Sequence, residues 1–228
     1  MQDPKIDSFL SLSKEFKRHN FSLYLTGGTV RDFLLQKELT DMDLVTNATP
    51  KEMESFLEDF DTTFSMYGYI KCKYQGNKFD ITTLRKEKAY KDSRHPSKIK
   101  FVNKLKEDYK RRDFTINAMY LDESFKLYDY STGKEDLEDK LIRFIGKPSK
   151  RIKEDPLRIL RALRFSLLLN FSIEKNTEEA LKKYSYLLNK INKDKIHQEA
   201  RKLKGIDKNK VEELFQKYSI HQYIDVLE

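Results

Sequence analysis

The chain has 228 residues, enough for one large domain or two modest ones with a proper core. Charged residues make up 36% of it, and 45 Lys and Arg against 37 Asp and Glu leave a net charge of +8, which points to a polyanionic partner. A single cysteine, Cys72, excludes an intrachain disulfide, and no run approaches the ~20 apolar residues that span a bilayer, so the expectation is a soluble, cytoplasmic protein with no membrane partner.

Residues 5–19 predict an amphipathic helix with Ile6, Phe9, Leu10, Leu12 and Phe16 as its apolar stripe. Its mixture of charge and apolar residues lacks the uninterrupted core of a signal peptide. A short strand over 21–25 ends in Gly27-Gly28, a helix-like segment covers 30–35, and a second strand covers 41–45. Glycines lack a Cβ, so the backbone there can turn sharply and approach a ligand. Thr29 and the first N–H groups of the helix then face a site suited to phosphate oxygens, with Arg31 as a fixed positive fork. Asp41 and Asp43 are two apart in a strand-like run, which puts both carboxylates on one face. Carboxylates beside a phosphate cradle suit divalent-metal phosphoryl transfer. Taken singly, a double glycine is also an ordinary tight turn and a DxD pair an ordinary solvated strand end.

Thr49 and Pro50 predict the N-cap and first position of another helix running through Phe56 and Leu57. A hairpin follows, residues 69–74 and 78–84 around Gln75-Gly76-Asn77. Asp80 in its second strand is a candidate third carboxylate, and equally a half-exposed strand residue paired with a lysine. Residues 85–99 carry dense charge without apolar periodicity and predict an exposed, mobile loop. Arg111 and Arg112 precede an apolar run, residues 116–120, read as a strand; alone they also fit the charged end of a helix. In this run Asp113 and Asn117 are expected to bond local backbone. Residues 128–135 read as a turn, and beyond about residue 140 strand signals give way to helical periodicity.

Asp155, Arg158, Arg161 and Arg164 recur every three residues on one helical stripe that starts near Pro156. The plainer reading is a basic helix lying along RNA phosphate. A sharper one uses the edge that cytosine and adenine share, an amine donor beside a ring-nitrogen acceptor. The carboxylate of Asp155 accepts from the amine and the guanidinium of Arg158 donates to the ring nitrogen. Uracil and guanine reverse that pattern and leave buried groups mismatched. Helices are predicted over 175–187, 191–203 and 207–218, rich in Lys with Tyr184 and Tyr186 interleaved, suited to an RNA path or to a solvated face. His197 reads as a surface or packing residue.

Three strings in order, GGTVRDFLL with TDMDLVTNATP, then RRDFTINAM, then EDPLRILRALRF, resemble class II tRNA nucleotidyltransferases and bacterial poly(A) polymerases over residues 21–170. The resemblance implies an α+β fold. A polymerase-beta-like palm of mixed sheet and helices covers residues 1–140, and an all-helical neck covers 141–228. It implies that Asp41 and Asp43 are catalytic and hold Mg²⁺, and that Gly28, Arg31 and Arg112 bind the triphosphate. Asp155, Arg158, Arg161 and Arg164 are implied in nucleotide binding. The pattern from Arg85 to Pro96 resembles the flexible loop of CCA-adding enzymes, which CC-only enzymes lack. The implied activity is template-independent addition or repair of the CCA at a tRNA 3′ end from CTP and ATP. An A-adding enzyme or poly(A) polymerase shares these residues, and a non-catalytic RNA-binding module is the rival of another class. Family members usually continue into body and tail domains that grip the tRNA elbow.

Overall fold

Asp3 accepts a hydrogen bond from the Lys5 N–H, and Pro4 stands at the first helical position, so α1 (Pro4–Arg18) begins where its cap allows. Phe9, Leu12 and Phe16 recur on one face and are fully buried. The structure, a computed structural model, describes residues 3–90 and 96–226. They fall into two compact units: Met1–Lys88, Lys98–Arg112 and Ile116–Lys134 in the first, Ala89–Ser97, Asp113–Thr115 and Glu135–Glu228 in the second.

In the first unit β1 (Leu23–Thr26) runs directly into α2 (Gly27–Leu34), followed by β2 (Asp43–Thr46) and α3 (Pro50–Glu54). β3 (Phe60–Asp61), β4 (Tyr69–Tyr74) and β5 (Asn77–Thr83) come next, then β6 (Arg85–Tyr90) and β7 (Pro96–Phe101), parts of which are assigned to the second unit, and α4 (Leu105–Asp108), β8 (Met119–Leu121) and β9 (Leu127–Asp129). The main sheet has the order β3-β4-β5-β2-β1-β8-β9, and β2 and β5 are its parallel pair. α3 has the full reciprocal cap: Thr49 accepts from the Glu52 N–H, and the Glu52 carboxylate accepts from the Thr49 N–H. The β4–β5 hairpin forms as the sequence predicts. Gln75 and Gly76 have φ of 48° and 78°, the two positive values that a tight hairpin turn with the right twist requires.

Four sequence expectations shift. α2 starts at Gly27 rather than near residue 30, and β2 starts at Asp43, so Asp41 lies in a bend ahead of the strand. The segment expected as a mobile loop contains β6 and β7, which pair in a separate two-stranded sheet; residues 91–95 lie outside the described residues. Charge pairing explains why an apolar pattern is not needed there, since Arg85 pairs with Glu87 and Lys86 with Glu107. The expected strand over 116–120 is divided: residues 115–117 form a single 3₁₀ turn, and the strand is β8.

In the second unit α5 (Gly133–Glu138) opens where a plain turn is predicted, and β10 (Leu141–Ile142) pairs in parallel with β11 (Ser172–Ile173). α6 (Pro148–Glu154) and α7 (Leu157–Leu169) are separate helices. Pro156 disfavours the helical conformation for the residue before it, and Asp155 is extended, with φ −151° and ψ 99°. α8 (Lys175–Tyr184), α9 (Lys193–Ala200) and α10 (Lys208–Lys217) complete the unit. Its core includes Ile159, Leu160, Ala162 and Leu163 of α7, with Phe114 stacked on Phe144 at 4.8 Å and edge-on to Phe165 at 5.6 Å.

Candidate active site

Gly27 has φ +63°, and a Cβ there would stand 2.9 Å from Oδ2 of Asp43. Only glycine tolerates both conditions, so the turn from β1 into α2 can close directly over an acidic side chain. The Gly28 backbone N–H donates to that same carboxylate. Thr29 ties the acidic segment to the helix. Its Oγ1 accepts from the Asp43 N–H at 2.8 Å and donates to the Asp41 carbonyl at 3.0 Å. The sequence assigned this hydroxyl to phosphate; the structure uses it to hold the two aspartates in place.

Across the sheet, Asp43 of β2 is in register with Asp80 of the parallel β5, and Asp80 with Lys71 of β4. Tyr69 donates a hydrogen bond to Asp80 from the next position on the same face. Burial pushes the Asp43 carboxyl up, and Asp80 and Asp41 push it further; Arg112 and the Gly28 N–H oppose them. A partly buried carboxylate crowded by two others is a hard-oxygen donor set that a divalent cation relieves, so these residues fit Mg²⁺. Among the described residues no group of three or more His, Cys, Asp or Glu side chains comes together so as to hold a metal ion. Mg²⁺ does not need such a group, since it usually keeps waters and substrate phosphates with one or two carboxylates. Asp41 is exposed and, with Asp80, lines an open groove of about 700 Å³.

The arginines of the first unit are pinned. Arg31, 8% exposed, reaches Oδ1 of Asp32 through Nε at 2.9 Å and Oδ2 through Nη2 at 2.8 Å, while Nη1 reaches Oδ1 of Asn117 at 2.9 Å. Its Nη2 lies 3.3 Å from where a Gly28 Cβ would stand, so the second glycine makes room for the guanidinium. Arg112 donates through Nε to Asp108 and to the Tyr120 hydroxyl, both at 3.1 Å, and through Nη1 to the Asn117 carbonyl at 3.3 Å. Burial opposes its charge, but Tyr120 and Asp108 outweigh that and raise its pKa. Asn117, expected to bond its local backbone, links the two arginines instead.

In the second unit Asp155 accepts from the Leu157 N–H at 3.1 Å and so starts α7. Arg158 is buried; its Nη1 donates to the Arg151 carbonyl at 2.8 Å and to Glu154 at 3.1 Å, and Glu154 also takes Arg151. Arg161 grips Asp113 through Nε at 2.8 Å and through Nη2 as well. Asp113 does bond local backbone as predicted, accepting from the Phe114 N–H at 2.7 Å. Arg164 donates to Glu199 at 2.7 Å, and its guanidinium lies 4.4 Å from the Phe165 ring centroid. Asp155 and the three α7 arginines therefore each have a protein partner. Sequence reasoning missed Asp108 and Glu154, although each lies four residues before an arginine it binds, a recognisable helical spacing.

A mixed sheet carrying a double-glycine helix start and a row of carboxylates, followed by helices, defines a nucleotidyltransferase palm with a helical neck. The chain belongs to the poly(A) polymerase head domain family, whose model matches residues 23–143. It is 46% identical over 169 residues to the CCA-adding enzyme of Staphylococcus haemolyticus, covering 74% of this chain and 42% of that one. It is also similar to the solved Bacillus stearothermophilus CCA-adding enzyme in complex with CTP, with TM-score 0.88, 30% identity, and 97% of this chain and 54% of that one covered. The Thermotoga maritima CCA-adding enzyme complexed with tRNA matches with TM-score 0.78 and 26% identity, covering 97% and 53%. The chain thus spans about half the length of the relatives it matches. No helix among the described residues is long and apolar enough to cross a membrane.

Proposed function

We propose that this chain carries the catalytic palm (residues 1–140) and base-reading neck (141–228) of an enzyme that builds or repairs the 3′-terminal CCA of tRNA from CTP and ATP, releasing pyrophosphate. The observation that carries the reading is the register of Asp43 with Asp80 beside the Gly27-Gly28 turn, in a chain similar to CCA-adding enzymes. Asp41 and Asp43 would hold Mg²⁺, with Asp80 alongside, and the ion would supply Lewis acidity toward the RNA 3′-hydroxyl and positive charge for the leaving pyrophosphate. Gly28, Arg31 and Arg112 hold the triphosphate, the two guanidiniums already fixed by Asp32, Asn117 and Asp108. Positioning and charge neutralisation suffice, and the chain needs no covalent intermediate. Asp155 and Arg158 read the edge common to cytosine and adenine, while Arg161 and Arg164 hold neighbouring groups. The setting this reading implies is a reducing, cytoplasmic compartment where tRNA ends are processed.

The test is Mg²⁺-dependent incorporation of each nucleoside triphosphate singly into tRNA lacking CCA, CA or A. The proposal predicts CTP use on the first substrate, CTP on the second and ATP on the third. ATP use alone would instead establish an A-adding or poly(A) activity. Asp155→Ala is predicted to lose its selectivity against UTP and GTP, and an unaltered preference would refute the base-reading role.

A further inference from the structure

Asp108 is fully buried, yet its carboxylate is ionised and surrounded by donors from three parts of the first unit. Oδ1 accepts from Arg111 Nε at 2.7 Å and from the Arg85 backbone N–H at 3.1 Å. Oδ2 accepts from the Tyr120 hydroxyl at 2.9 Å and from Arg112 Nε at 3.1 Å. Burial alone would raise this carboxyl, but Arg111 and Arg112 outweigh it and hold it far below the usual carboxylate range. A buried charge with this many partners is costly to disturb and fixes the geometry of each donor.

The partners divide into two sets. Arg112 and Tyr120 form one, with the guanidinium 4.9 Å from the Tyr120 ring centroid and Nη1 on the Asn117 carbonyl. Arg85 opens β6, and its side chain is held by Glu87, which also lies 3.6 Å from Arg111, and by the Tyr67 carbonyl at 2.5 Å. One carboxylate thus fixes the direction of the Arg112 guanidinium and fastens it to the base of the β6–β7 ribbon. We propose that Asp108 is a positioning residue for nucleotide binding, holding Arg112 at the angle the triphosphate needs and tying that angle to the ribbon. This inference depends on the assignment of Arg112 to the triphosphate made above.

The test is calorimetric titration of CTP, without RNA, into the intact chain and its variants, with the binding-competent fraction taken from the stoichiometry. Asp108→Asn keeps the size of the side chain, removes its charge and leaves one oxygen where two accepted. It is predicted to weaken CTP binding about tenfold in the folded fraction, the scale of coupling between groups in one network. Arg112→Ala is predicted to weaken it at least as much, and the double variant no further than Arg112→Ala alone. A merely structural role would lower the melting temperature and the competent fraction while leaving the dissociation constant of that fraction unchanged. Tyr120→Phe removes only the hydroxyl that bridges Asp108 and Arg112, and is predicted to weaken binding in the same direction by less. If Asp108→Asn fails to fold, Tyr120→Phe decides the matter: wild-type affinity would overturn the proposal. If Arg112→Ala weakens binding while Asp108→Asn does not, the positioning role is overturned and the triphosphate assignment stands. Unchanged affinity in Arg112→Ala would overturn the assignment itself.

Discussion

Thr29 shows how one hydroxyl can decide where two carboxylates stand. Its oxygen accepts from the Asp43 N–H and donates to the Asp41 carbonyl, so removing it leaves a backbone donor and acceptor of the acidic segment without partners. Thr29→Val keeps the shape of the side chain. It is predicted to cost about 1–3 kcal/mol in urea unfolding and to slow nucleotide incorporation about 10- to 100-fold through misplacement of the aspartates. Thr29→Ser should restore both. Wild-type incorporation by Thr29→Val would show that the tether is not needed. The resemblance of their strings to a known family made Asp43, Gly28 and Arg112 legible as candidates. Thr29's partners were not legible, because a hydroxyl at a helix start fits a phosphate or a neighbouring loop equally well.

At the scale of elements, the ion pair between Arg161 and Asp113 fastens α7 to the segment carrying Phe114. Burial would raise the Asp113 carboxyl, but Arg161, through charge and hydrogen bonds, holds it at about 2, below its ordinary 3.8. A depressed carboxylate pKa stabilises the fold above the ordinary value, and that stabilisation is lost as pH falls through the folded value. The contribution is therefore intact above about pH 4 and disappears towards pH 2, amounting to about 2 kcal/mol for a shift of this size. Asp113→Asn is predicted to be less stable than wild type at pH 7 and to lose less on acidification between pH 4 and 2, followed by circular dichroism. A variant whose acid profile parallels that of wild type would contradict the assignment. The Gly-containing hairpin turn, the Thr49 cap and the helices after residue 175 were legible because each has a local cause in adjacent residues. The β6–β7 ribbon was not, since its strands carry charge where a sheet face usually shows alternation, and its stability comes from partners elsewhere in the chain. The start of α7 was legible, since Pro156 marked it; the separate α6 ahead of it was not read.

For the whole molecule, the net charge of +8 and the carboxylate row answer different questions. Charge favours a polyanionic partner and makes such an encounter salt-dependent, but says nothing of chemistry. On the proposed reading the chemistry falls to Asp41, Asp43 and Asp80, placed by a bend, β2 and β5 beside the double-glycine turn. Single-turnover extension of tRNA lacking its CCA end, with CTP and Mg²⁺, measured for the wild-type chain and for Asp43→Asn, tests this most directly. The substitution keeps the size of the side chain while removing the charge a cation needs and one of the two acceptor oxygens. The predicted result is extension by wild type and a loss of about a hundred- to a thousandfold in the variant, the scale on which losing a key charge-stabilising group acts. Extension by Asp43→Asn at the wild-type rate would contradict it.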